Sequence, residues 1–258
     1  MSLTAQPIGD VSHIKKGDDL AQIATALFSF EDGDILALAS TVVSKSEGSV
    51  LELSRISITE RAREIAEACG KPPAFVQAVL DESEEVLVEK PFLLVVRKGH
   101  VCINAGIDMS NIEQGKVLVL PDDPDGSAEK LMVRIKELTG RRVGVLITDT
   151  SGRPFREGQC SIALGCAGLA PIRDWRGRPD IYGRPLEITQ EAVADELASL
   201  ANLLMGEGGD MTPMVVIRGM SELVVDGAPG VASLLREQEK DVVRAALREF
   251  RGHFSPPP

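Results

Sequence analysis

Aromatic residues are scarce in this chain: phenylalanine, tyrosine and tryptophan make up 3% of its 258 residues. A core with so few rings must rest on Val, Leu, Ile and Ala, and the 43% hydrophobic content allows it. No apolar run approaches the ~20 residues that a membrane-spanning helix needs. The opening MSLTAQPIGD has neither the basic residues nor the apolar stretch of a secretory leader. Cys69, Cys102, Cys160 and Cys166 are widely spaced and form no CxxC pair. They read as reduced thiols of a cytoplasmic protein rather than as disulfide or zinc partners. His13, His100 and His253 fall in no triad, zinc or HExxH pattern. Excess basic charge is also missing. A net charge of −11 argues against nonspecific nucleic-acid binding and against an anionic membrane surface, both of which need cations to replace counterions. The expectation is a cytoplasmic globular protein with no nucleic-acid and no membrane partner.

What is present reads as a mixture of α and β elements without the regular alternation of a doubly wound sheet, so the fold class is α+β with a mixed sheet and no derivable topology. Residues 1–254 read as one unit, with two lobes allowed for and no boundary placed. The tail 255–258, SPPP, reads as disordered. DILALAS (34–40) is a buried strand that runs into a polar loop, TVVSKSEG. Ser57 and Glu60 have the spacing of a capping box that opens a helix ending at Gly70. PPAFVQAVLDESEE is a second helix. EVLVEK, FLLVVRK and HVCINA are short strands, the last two a hairpin around Gly99. GSAEKLMVRIKELTG is a helix capped by Ser127 and stopped by Gly140. VGVLITD, CSIALGCAGL and MVVIRG are buried strands. Thr189 caps the helix QEAVADELASLANLLM, Gly206 ends it, and ASLLREQEKDVVRAALREF is a last charged helix.

Candidate chemistry gathers where the strand VLITD runs into TSGRPFREGQ. Asp149 and Thr150 are adjacent oxygen donors, followed by Arg153 and Arg156. Between Thr150 and Leu186 six arginines, including Arg173 and Arg176, face three carboxylates, and no lysine occurs between Glu137 and Glu239. Guanidinium forks suit bidentate contacts to phosphate or carboxylate. Asp108 and Asn111 in NAGIDMSN and Glu207 in MGEGGDMT are further oxygen donors, suited to Mg²⁺ or Mn²⁺ rather than zinc. GEGGD follows a helix and precedes a strand, the reverse of a Rossmann loop, and no Walker loop exists in the chain. From the residues alone, a metal-dependent enzyme handling phosphate esters is the reading reached.

The segments IKKGDDLA, STVVSKSEG, NAGIDMSN, DPDGSAEKL, ITDTSGRPFREG, DWRGRPDIYGRPLEIT, VADELASLANLLMGEGGD and VVIRG resemble the coenzyme F420-0:L-glutamate ligases, in the archaeal form that has a single ligase unit. The resemblance implies a GTP-dependent, GDP-forming ligase that joins L-glutamate to the lactate carboxyl of F420-0 through an acyl phosphate, then adds a second, γ-linked glutamate. It implies a fold particular to the family and an intertwined homodimer. It also implies two divalent metals, Mg²⁺ or Mn²⁺, with Asp108 and Asp149 holding one and Thr150 and Glu207 the second, and potassium as a further cation. Catalytic roles then fall on Asp108, Asp149 and Thr150. GTP contacts fall on Val11, Ser12, His13 and Ile14, on Ser40, Thr41, Lys45 and Asn111, and on Met205, Gly206, Glu207, Gly208, Gly209, Asp210, Met211 and Thr212. In the family the first of these segments usually carries a proline, where this chain has VSHI. Arg153, Arg156, Arg173 and Arg176 are assigned to the phosphodiester and carboxylates of the substrates. Two other readings use the same residues: a metal-dependent phosphohydrolase, which needs no amine acceptor, and a nucleotide-binding regulatory module, which turns nothing over.

Overall fold

The computed structural model of the chain describes residues 2–250; His253 and the SPPP tail lie outside them. In chain order the strands are β1 (Thr4–Ile8), β2 (Ile35–Ala39), β3 (Val50–Glu52), β4 (Glu85–Val88), β5 (Leu94–Arg97), β6 (His100–Ile103), β7 (Lys116–Leu118), β8 (Gly144–Arg153), β9 (Arg156–Ala167), β10 (Arg173–Asp174), β11 (Gln190–Glu191) and β12 (Met214–Arg218). The helices are α1 (Leu20–Leu27), α2 (Ser40–Glu47), α3 (Glu60–Cys69), α4 (Pro73–Asp81), α5 (Pro124–Thr139), α6 (Val193–Met205) and α7 (Val242–Phe250). The fold is mixed α+β.

The main sheet has the order β1-β12-β2-β8-β9. Only β2 and β8 run parallel; the other neighbours are antiparallel. Its inner strands are near-continuous apolar runs because both faces are covered. On one face Leu36, Leu38, Val145, Ile147 and Met214 meet α1 and α5; on the other Ile35, Ala37, Leu146, Val215 and Ile217 meet α6. Gly165 lets the start of α5 sit on β9, since a Cβ there would lie 2.3 Å from the Pro124 carbonyl carbon. Buried Asp34, at the head of β2, takes two hydrogen bonds from Arg218 of β12 at 2.7 and 2.8 Å, which neutralises its charge.

A smaller sheet, β4-β5-β6, carries a third core with α3 and α4, in which Phe75, Val76, Leu93 and Val95 are buried. Helix α7 docks on β4 through Arg244, whose Nε and Nη2 donate to Glu85 at 2.9 and 2.6 Å, with Arg248 on the same carboxylate.

Several local expectations are corrected. TVVSKSEG is helix α2 rather than a loop: Val42 and Val43 enter the core, Ser44 is buried beside them, the Ser46 hydroxyl donates to the Val43 carbonyl, and Gly48 ends the helix at φ 78°. The N-cap of α3 is Thr59, whose hydroxyl accepts from the Ala62 amide, so Ser57 and Glu60 form no capping box. Asp123 rather than Ser127 caps α5; Ser127 is buried within it, its hydroxyl donating to Glu47. Thr189 caps nothing, because Gln190–Glu191 is drawn into pairing with β10 and α6 begins at Val193. The last charged segment is two short 3₁₀ turns followed by α7, not one helix. The hairpin at Gly99 and the helix ends at Gly70, Gly140 and Gly206 are as read.

Candidate functional site

The parallel register of β2 on β8 builds the centre of the site. Ala39 is the partner of Thr148, so the next residues along each strand, Ser40 and Asp149, leave the ladder side by side. The Ser40 hydroxyl donates to Asp149 Oδ1 at 2.8 Å across 109 residues of sequence. Ser40 is also the first residue of α2, and Ala39 before it offers no side-chain cap. The first N–H groups of that helix therefore have no side-chain acceptor, which makes the helix start a ready anion seat. Ligand sites at the carboxyl ends of parallel strands are expected on the same grounds.

Three acids face this point. Asp149 is half-buried and carries a pKa pushed up to about 7; burial is the largest cause, and the charges of Asp108 and Glu207 add to it against the opposing hydrogen bond from Ser40. Asp108 is held by the Ser110 amide and hydroxyl at 2.7 and 2.6 Å. Glu207 accepts from Asn202 Nδ2 at 2.8 Å, which ties the loop after α6 to the helix itself. Among the described residues, no three Asp, Glu, His or Cys side chains stand close enough to hold a metal between them. A cation here would need the Thr150 hydroxyl and ligand oxygens to complete its shell. The donor chemistry fits one all the same: every candidate donor is oxygen, and a cation would offset the burial of the Asp149 charge and, to a smaller extent, its repulsion by Asp108 and Glu207.

These groups line one cleft of about 1250 Å³. Val11, Ser12, His13 and Ile14, Ser40, Thr41 and Lys45, Asp108 and Asn111, and Asp149 and Thr150 all reach it. So do Met205, Gly206, Glu207, Gly208, Gly209, Met211 and Thr212. The segments around Val11 and Met211 are tied by a hydrogen bond from the Val11 amide to the Met211 carbonyl at 3.2 Å. Asp210 does not line the cleft; its carbonyl accepts from the Thr212 hydroxyl at 3.0 Å. The four arginines also lie elsewhere. Arg153 and Arg156 flank the exposed tip of the β8–β9 hairpin. Arg173 sits between Glu191 and Glu222 beside Trp175, and Arg176 makes a fork with Asp174.

Some lining residues were not singled out from sequence. Lys15 and Lys16 place two more cations in the cleft, and theirs is the one adjacent lysine pair in the chain, a signal that could have been used. Cys102, Asn104, Ser151, Gly152 and Gln159 also line it, and nothing in their spacing marks them. Asn104, Ala105 and Gly106 take φ values of 53°, 56° and 66°, an unusual left-handed turn for two residues that carry a Cβ. The Asn104 Oδ1 is sealed from water and has no partner, at a cost of ~1–3 kcal/mol for such a group.

Residues 9–219 match the family described as F420-0:Gamma-glutamyl ligase. The chain belongs to this ligase family. It is 54% identical over 249 residues to the coenzyme F420:L-glutamate ligase of Archaeoglobus fulgidus, covering 96% of this chain and 99% of that one. The ligase of the same name from Methanosarcina mazei is 43% identical over 252 residues, 97% and 99% of the two chains. That from Methanopyrus kandleri is 42% identical over 247 residues, 94% and 98%. The match to the ligase family thus takes in the whole cleft, and the protein is an enzyme of the ligase class. Among the described residues no helix is long and apolar enough to cross a membrane.

Proposed function

We propose that this chain joins the amine of L-glutamate to the lactate carboxyl of F420-0 at the cost of GTP, releasing GDP and phosphate, and then adds a second glutamate through a γ-link. The observation that carries the reading is the meeting of opposite charges in one cleft: Asp108, Asp149 and Glu207 beside Lys15, Lys16, Lys45 and the uncapped start of α2. Acids alone would repel a triphosphate, and lysines alone would not organise its transfer.

A carboxylate is a poor electrophile. Transfer of the γ-phosphoryl group to a carboxylate oxygen gives an acyl phosphate; the glutamate nitrogen then attacks the acyl carbon, phosphate leaves, and the nitrogen gives up a proton. Lys45 and the first amides of α2 would hold the phosphates. Ser40 fixes the carboxylate of Asp149, and Asn202 fixes that of Glu207, so neither has to reorganise as charge moves. Divalent ions, Mg²⁺ or Mn²⁺, held by Asp108, Asp149, Thr150 and Glu207, would neutralise the transferring group. Potassium is the further cation to be tried. The exposed apolar side chains of Phe155, Ile181, Tyr182 and Ile188, on two projecting loops, support pairing of two copies into a homodimer.

The test is incubation with F420-0, L-glutamate, GTP and Mn²⁺, with product masses read by chromatography and mass spectrometry. Glutamyl units are expected, and none when GTP or metal is omitted. Unchanged F420-0, with the protein folded and a relative active in parallel, would overturn the assignment; phosphate release independent of glutamate would point to a phosphohydrolase instead.

A further inference from the structure

Helix α2 offers an anion seat at its start and carries a cation across its end. The chain before α1 is tied to that end: the Gly17 amide donates to the Ser46 carbonyl at 2.8 Å, and the Lys15 amide to Asp18 Oδ2 at 2.7 Å. Lys16 stands between these two anchors, exposed and lining the cleft. Its stem crosses Gly48, the residue that ends α2. A Cβ at 48 would lie 2.6, 2.8 and 3.0 Å from Lys16 Cδ, Cε and Cγ, so three successive methylenes run over bare backbone. Gly48 thus serves twice: at φ 78° it permits the turn out of the helix, and its missing side chain makes room for the stem.

A lysine at the end of a helix often serves the helix itself, through its last carbonyls. Here backbone amides already occupy those of Ser44, Lys45 and Ser46, donated by Ser49, Gly48 and Gly17 in that order. Nor does a carboxylate hold Lys16. Asp18, Asp19 and Glu47 are engaged by the Lys15 amide, Arg134 and Ser127, and they line a separate hollow beside α5. Among the described residues, Lys116 and Lys240 are the only lysines with a carboxylate partner. Lys16 therefore has a guided stem and a free head.

We propose that Lys16 holds an oxyanion of a substrate at the C-terminal end of α2, in a seat distinct from the phosphate seat at the start of that helix. The inference rests on the function proposed above. The eight residues of α2 put about 12 Å between its two ends, too far for one phosphate to touch both. The carbonyl end of a helix repels an anion, so a seat there needs a cation of its own, and Lys16 supplies it. Its partner is a GTP phosphate remote from the transfer, the phosphodiester of F420-0, or a carboxylate of L-glutamate. All three offer the same acceptor oxygens to an ammonium.

The KM of each substrate is measured with the other two saturating, and the Kd of each by calorimetry. Lys16→Gln is expected to raise the KM of one substrate about 10-fold, with kcat within about 2-fold and Tm unchanged, and Lys16→Arg to restore most of the loss. The substrate whose KM rises names the source of the oxyanion. Gly48→Ala, which pushes the stem aside, should raise the same KM, and should add nothing in a Lys16→Ala background, where no stem is left to push. Unchanged KM values for all three substrates in Lys16→Gln overturn the proposal, as does a loss confined to kcat or Tm. An equal effect of Gly48→Ala with and without Lys16 overturns the part given to the stem; if Gly48→Ala does not fold, Lys16→Gln and Lys16→Arg decide the matter. A wild type that binds the substrates but joins none brings down the proposed function alone, and the same comparison is then read on Kd. Unaltered Kd values in Lys16→Gln bring down the inference as well.

Discussion

Strand β8 is one run of ten residues whose two halves obey different constraints. From Gly144 to Thr148 it is paired on both sides, with β2 and with β9, and every residue is buried. The one polar side chain there, Thr148, returns its hydroxyl to the Leu38 carbonyl at 3.3 Å. From Asp149 to Arg153 it is paired only with β9, and exposure rises along the strand. Packing chooses the residues of the first half: Gly, Val, Leu, Ile, Thr. Where β2 stops, the second half turns to Asp, Thr, Ser, Gly, Arg. The difference teaches where a sheet can hold a reactive group. One step past the end of a neighbouring strand, a side chain keeps the rigidity of the remaining ladder and gains an open side.

The contrast breaks most visibly at Asp149. Asp149→Asn is expected to lower turnover by ~10³-fold or more, the loss of a charge that organises phosphoryl transfer. Its Tm should hold or rise, because an amide is easier than a carboxylate to keep at that depth. Steady-state kinetics and calorimetry on the same preparation check both halves of the statement. Two residues back the outcome reverses. Ile147→Ala should cost about 3 kcal/mol of stability in urea unfolding, through lost burial and a cavity, while turnover per folded molecule stays near wild type.

Ser40→Ala sharpens the boundary between the halves. It removes one hydrogen bond of about 1 kcal/mol, so a roughly 5-fold fall in kcat with little change in Tm is expected. A fall as deep as that of Asp149→Asn would mean that Ser40 does more than orient the carboxylate.

The inner half of β8 was legible in the sequence, and the outer half only partly so. VGVLITD announces a buried strand because hydrophobic continuity is a local property. That Asp149 stands beside Ser40 depends on a parallel register between segments 109 residues apart, and no local pattern encodes it. Helix α2 was missed for a related reason. Its polar Ser, Lys and Glu read as a loop, and only the core around Val42 and Val43 shows that the segment buries one face. The arginines had the opposite fault: they were conspicuous in sequence, but Arg176 is engaged by Asp174 and Arg153 lies on a hairpin tip. Asn104 left no mark, because an unpartnered oxygen matters only once its surroundings are known.

Acid supplies a reference that leaves β8 alone. The guanidinium of Arg248, with that of Arg244, holds the Glu85 carboxyl at about 2, well below its ordinary 4.5. A depressed carboxylate pKa contributes stability above the unfolded value and loses it as pH falls through the folded one, so the clasp on α7 should weaken between about pH 4.5 and 2. Hydrogen exchange across that window should show amides of Val242–Phe250 opening before those of Gly144–Thr148. The smallest effect is expected at the far end of the strand: Arg153→Ala, on the solvated tip, should change stability by less than about 0.5 kcal/mol.

The register of β2 on β8 also decides which genetic changes this protein can absorb. Ser40 and Asp149 are placed by strand pairing and not by the chain between them, so insertions in the surface turns of residues 53–115 should leave the two in contact. A single-residue deletion within Ile35–Ala39 or within Gly144–Thr148 is another matter. Side chains alternate along a strand, and such a deletion would turn either Ser40 or Asp149 to the opposite face of the sheet while keeping every residue of the site in the sequence. In this enzyme, spacing inside two short strands is under tighter constraint than the length of the turns in the segment that separates them.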